Sequence, residues 1–169
     1  MACRTQPGSQ GQIWLASRVR DSRGVRDGLD RGRRLLDSMP QPDRREHHFV
    51  VDRDKWDFSA LDSYRIAGDD QRAAVHARRV LELGASPTGE RAPMRMAEAR
   101  LTLAAIAARE GDLEQAVTTG INALGGQRKS LPTLLMVGAE LDSELHQRYP
   151  GESATNDFHE ALNSVNSAD

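Results

Sequence analysis

Five histidines, at positions 47, 48, 76, 146 and 159, are the side chains of this sequence best suited to proton transfer or metal binding. Acid–base catalysis by one of them needs a nucleophile or partner beside it, and the sequence places none. His47 and His48 are neighbours, so on a helix or strand they point apart. His76, His146 and His159 fall at no metal-ligand spacing, and no metal site is expected. The stretch GGQRKS, 125–130, ends in Lys129 and Ser130 like a phosphate-binding loop. Arg128 stands where that loop needs glycine, and a helix precedes it instead of a strand, so an interhelical turn is expected. DRDKWD, 52–57, has the carboxylates of a calcium loop but Asp57 where glycine is required and no closing glutamate. It reads as a helix start with Asp54 as N-cap. Arg31, Arg33 and Arg34, with Arg44 and Arg45, read as a solvated basic face. Cys3 is the one cysteine, so the chain can form no internal disulfide, and a reducing cytoplasm is the expected compartment. The chain reads as no enzyme, and no cofactor is expected.

The elements that carry these residues are helical. Alanine occurs 21 times and aromatics make up 4% of 169 residues, a composition suited to closely packed helices and poor in strand formers. The net charge of −2 gives no general attraction to nucleic acid or acidic membrane. No apolar run is long enough to span a membrane, and MACRTQPGSQGQ has no signal-peptide core. Residues 1–12 are expected to be disordered and 13–169 to form the folded region. Helical patterns run from Ile13 to Met39 with a break near Gly24, then over 55–67, 69–83, 94–109 and 112–124. Residues 40–54 read as a loop with Phe49, Val50 and Val51 turned inward, and 84–93 as a breaker cluster. Ser130 reads as the N-cap of a helix ending at YPG, and Ser153 as the cap of a last one. The expectation is an all-α chain of about eight helices.

Two phrases repeat. AGDDQRAAV, 67–75, and EGDLEQAV, 110–117, place Gly-Asp pairs 43 residues apart. Small residues follow five and nine positions after each glycine (Ala73 and Ala77, Ala116 and Gly120), and Val80–Leu81 and Ala123–Leu124 come later. Glycine permits a tight turn, and aspartate suits the N-terminal end of the next helix. A fainter copy starts at Gly24. The unit is a helix hairpin, which buries its apolar face only by stacking on another.

This pattern resembles the tetratricopeptide repeat (TPR). Ala73 and Ala116 match its first small position, Ala123 its second, and Tyr64 its late aromatic. Val80 departs from the second small position, Asp57 and Arg100 stand at the early aromatic, and the closing proline is absent. The phrases LDRGRRLLDSMP, HHFVVDRDKWDFSALDSYRIAGDD and GGQRKSLPTLLMVGAELDSELHQRYP are similar to the C-terminal repeat region of XRE-type helix-turn-helix transcriptional regulators of high-GC Gram-positive bacteria. The first thirty residues are too few for a helix-turn-helix, and none is expected within them. The resemblance implies a TPR-like solenoid that binds a protein or peptide, most readily as the regulatory and dimerisation part of such a regulator. A stand-alone adaptor is the alternative. By the same resemblance, direct nucleic-acid binding is not expected. The groove it implies runs along the first helix of each hairpin: Lys55, Phe58, Asp62, Arg65 and Ile66, then Glu98, Leu101, Ala105, Ala108 and Arg109. The stripe Leu131, Leu134, Leu135, Leu141 and Leu145 reads as either the cap of the array or a homodimer seam.

Overall fold

The computed structural model describes residues 9–38, 53–126 and 131–167. Among these, the chain is all-α, with eight helices: α1 (Ser9–Arg18), α2 (Ser22–Ser38), α3 (Arg53–Ala67), α4 (Asp70–Gly84), α5 (Pro93–Glu110), α6 (Leu113–Leu124), α7 (Leu131–Arg148) and α8 (Ser153–Ser167). A two-residue antiparallel ladder, β1 (Ala85–Ser86) with β2 (Gly89–Glu90), interrupts the expected breaker cluster. No helix among the described residues is long and apolar enough to cross a membrane. Cys3, Arg44, Arg45, His47, His48, Phe49, Val50, Val51, Arg128, Lys129 and Ser130 lie outside the described residues.

Three helix reversals share one hydrogen-bond pattern. Arg20, Gly68 and Gly111 are left-handed, with φ of 55°, 77° and 96°. Their N–H groups donate three residues back, to the carbonyls of Ser17, Arg65 and Ala108. The following aspartates, Asp21, Asp69 and Asp112, donate five residues back to Ala16, Tyr64 and Ala107, each at 2.9 Å. These bonds satisfy the last carbonyls of one helix. Each aspartate then turns its Oδ1 forward and accepts from the N–H of Gly24, Arg72 or Gln115, at 2.9, 3.2 and 2.9 Å. That caps the next helix.

The early copy of the repeat is therefore real but misaligned in the sequence reading. Its left-handed residue is Arg20, and Gly24 lies inside the first turn of α2. With the register corrected, Val25, Ala73 and Ala116 are equivalent, and all are fully buried. A second difference concerns residues 9–12, which belong to α1 and are not disordered. The polar SQGQ conceals a helix whose apolar face begins only at Ile13.

The chain divides into two compact units between His76 and Ala77, within α4. In the first, α1 and α2 pair as a hairpin, and both pack on α3. His76, early in α4, bonds through Nδ1 to Asp57 Oδ1 at 3.0 Å and stacks on Tyr64 with centroids 5.6 Å apart. In the second, α5 packs on α6 and α7, α6 on α8, and α7 on α8. First helices thus pack on first helices and second on second, as in stacked hairpins. The core holds Leu101, Leu134, Leu141, Leu145 and Phe158, all with no exposed surface. At the end of α7, Tyr149 donates its hydroxyl hydrogen to the Ala108 carbonyl at 2.8 Å.

Gly120 accounts for the small residue nine positions after the turn. A Cβ there would stand 2.7 Å from Phe158 Cε2 and 2.8 Å from Leu141 Cδ2. Its smallness thus serves the next hairpin, not the antiparallel partner α5. Both neighbours are wholly buried and cannot retreat. Overpacking of about 1–3 kcal/mol outweighs a helix-propensity gain of about 1 kcal/mol. Gly120→Ala is expected to lower the unfolding free energy, read as a reduced urea midpoint at unchanged slope. Arg20→Gly has the opposite sign: it relieves a left-handed L-residue and is expected to raise the unfolding free energy by about 0.5–1 kcal/mol, read as a slightly higher urea midpoint.

Candidate functional site

The first unit holds a cavity of about 270 Å³ where α1, α2 and α3 meet. Ile13, Trp14 and Ser17 come from α1 and Leu29 from α2, while Trp56, Phe58, Ser59, Asp62, Ser63 and Ile66 come from α3. Phe58, Asp62 and Ile66 follow each other at four-residue spacing, so one face of α3 forms the long wall. This is the face implied by the TPR resemblance, opposite another first helix, α1. Its serines are already engaged: Ser17, Ser59 and Ser63 donate to the carbonyls of Trp14, Lys55 and Ser59 at 2.8–2.9 Å. The cavity therefore presents apolar and aromatic surface with one carboxylate, Asp62, whose side chain is 43% exposed.

Both tryptophans of the chain line this cavity, and the sequence reading assigned neither to it. Trp56 rests against α2 at Gly32, where a Cβ would meet its ring at 2.4 Å. Trp14 is 58% exposed, with the Arg18 guanidinium 5.3 Å from its ring centroid. The one signal for Trp56 was its place beside the vacant early aromatic position.

The other expected groove residues fare differently. Arg65 is buried, and its guanidinium pairs with Asp62. Lys55 is half-buried and lies outside the cavity lining. In the second unit, Leu101, Ala105 and Ala108 belong to the core, because α7 packs on α5. Glu98 is buried too. Arg109 donates through Nε to Glu144 Oε1 at 2.9 Å, and Arg148 holds Glu144 Oε2 at 3.0 Å. The leucine stripe of α7 likewise closes the core of its own unit. Leu134, Leu141 and Leu145 are fully buried within this core and Leu135 packs against it.

On the basic face, Arg33 is neutralised by Asp37 at 3.3 Å, while Arg31 keeps its charge and donates to the amide oxygen of Gln12 at 3.1 Å. Burial pushes the Tyr64 phenol up, against the Arg72 guanidinium 6.0 Å from its ring centroid. Among the histidines, the expectation of scatter fails for two. His146 and His159 lie beside Asp142, because the reversal at 149–152 folds α8 back along α7.

Comparison with family models, with curated proteins and with solved structures finds no match to this chain.

Partial burial raises the Glu144 carboxyl, but hydrogen bonds from Arg148 and Arg109 and their charges prevail and hold it below its ordinary 4.5. A depressed carboxyl stabilises the fold above its unfolded pKa, and that contribution is lost as pH falls through the folded value. The stability gap between the native chain and Glu144→Gln should be widest near neutrality and shrink once pH drops below 4.5. Unfolding curves from about pH 7 to about pH 3 test this, and a gap that stays constant would contradict it.

Proposed function

We propose that this chain is a protein- or peptide-interaction module that receives its ligand in the cavity of the first unit. The observation that carries the reading is an apolar, tryptophan-lined cavity between two first helices, edged by the Asp62 carboxylate. Sites of this kind take one or two anchoring side chains in an apolar cleft and set orientation with a few polar groups. The best complement is a peptide presenting a bulky apolar side chain next to a lysine or arginine that shares the exposed Asp62 carboxylate with Arg65. On the TPR and XRE-type resemblance, the module serves as the cytoplasmic regulatory part of a transcriptional regulator. It acts by changing the pose of a DNA-binding domain and does not itself contact nucleic acid. The reading is protein interaction, not catalysis.

Selection of a displayed peptide library on the full chain tests this. The expected binders carry an apolar residue flanked by a cation. Binding should shift the tryptophan emission, since Trp14 and Trp56 are the chain's two tryptophans and both line the cavity. Phe58→Ala should weaken binding by about tenfold or more, and Asp62→Asn should erase the preference for the cation. Saturating binding with unchanged emission and no effect of Phe58→Ala would overturn the reading.

A further inference from the structure

Asp142 and His146 lie one turn apart on α7, and His159 reaches them from α8. One ligand atom from each lies within 4.8 Å of the others. His159 Nδ1 is 3.0 Å from Asp142 Oδ2, and His146 Nδ1 is 2.9 Å from the Asp142 carbonyl and 3.4 Å from its Oδ1. The two imidazoles meet edge to face with centroids 5.4 Å apart. Asp142 Oδ1 is itself buried and has no hydrogen-bond partner. A buried carboxylate oxygen without a donor is an exception to ordinary protein construction, and it lies within this cluster.

We propose that Asp142, His146 and His159 bind a divalent transition-metal ion of borderline softness, for which Zn²⁺ is the natural probe. Two imidazole nitrogens and one carboxylate oxygen are the donors such ions accept. Calcium and magnesium require mostly oxygen and are excluded by the same set. Around a tetrahedral ion with bonds of about 2.0–2.1 Å, donors lie about 3.3 Å apart, so the three ligands need close by only about 1.5 Å. Both imidazoles are 47% exposed and tied only by single hydrogen bonds to Asp142, which is itself held at 19% exposure. The carboxylate is thus the fixed ligand and the histidines swing onto the ion. Three protein ligands leave a fourth position open to water. An ion held from both helices clamps α8 to α7 and stabilises the fold by RT ln(1 + c/Kd), where c is the free Zn²⁺ concentration.

Calorimetric titration of the chelator-treated full chain with ZnCl₂ tests the site. One ion per chain is expected, with no binding of CaCl₂ or MgCl₂. His146→Gln and His159→Gln should each weaken Zn²⁺ by at least about tenfold, whereas a His47→Gln/His48→Gln double variant should bind like the native chain. In the native protein, Zn²⁺ should shift the imidazole resonances of His146 and His159, a readout independent of any variant's folding. Absence of Zn²⁺ binding, or binding that survives both single substitutions and shifts other histidines, would overturn the proposal.

Discussion

Reversing a helix within two residues leaves the last carbonyls of one helix and the first amides of the next to be satisfied by the turn itself. This chain answers that constraint the same way at Arg20–Asp21, Gly68–Asp69 and Gly111–Asp112. A left-handed residue brings two amides back onto the outgoing helix, and an aspartate caps the incoming one. Everything larger depends on this device. It makes consecutive helices antiparallel and presents a buried Val25, Ala73 or Ala116 at a set distance into the second helix.

Hairpins built this way associate through what the second helix can admit. In the second unit, Gly120 lets Leu141 and Phe158 approach the α6 backbone, and Leu134, Leu141 and Leu145 fill the space toward α5. Tyr149 ties the far end of α7 to the carbonyl end of α5. In the first unit the packing of α1 with α2 and α3 leaves a cavity. The first unit thus keeps some of its apolar surface open and lined with indole rings.

How much of this the sequence disclosed follows from the range of the interactions. The turns at Gly68 and Gly111 were legible because glycine and an aspartate cap act within five residues. The first turn was misplaced because Arg20 adopts the left-handed conformation without glycine to announce it. The α3 face was legible from four-residue spacing. The α5 face was not: its run of alanine is apolar all round, and periodicity cannot say which side a neighbour covers. The Asp142–His146 pair was visible at helical spacing, but His159 joins it only through the α7–α8 reversal. Trp14 was hidden by the polar residues before it.

On the proposed reading, ligand engages the first helices of the first unit. Hydrogen exchange by mass spectrometry on the full chain, with and without a selected peptide, tests it most directly. Added protection is expected over Ser9–Arg18 and Arg53–Ala67, in α1 and α3. Protection confined to 94–109 and 131–148, with α1 and α3 unchanged, would contradict it.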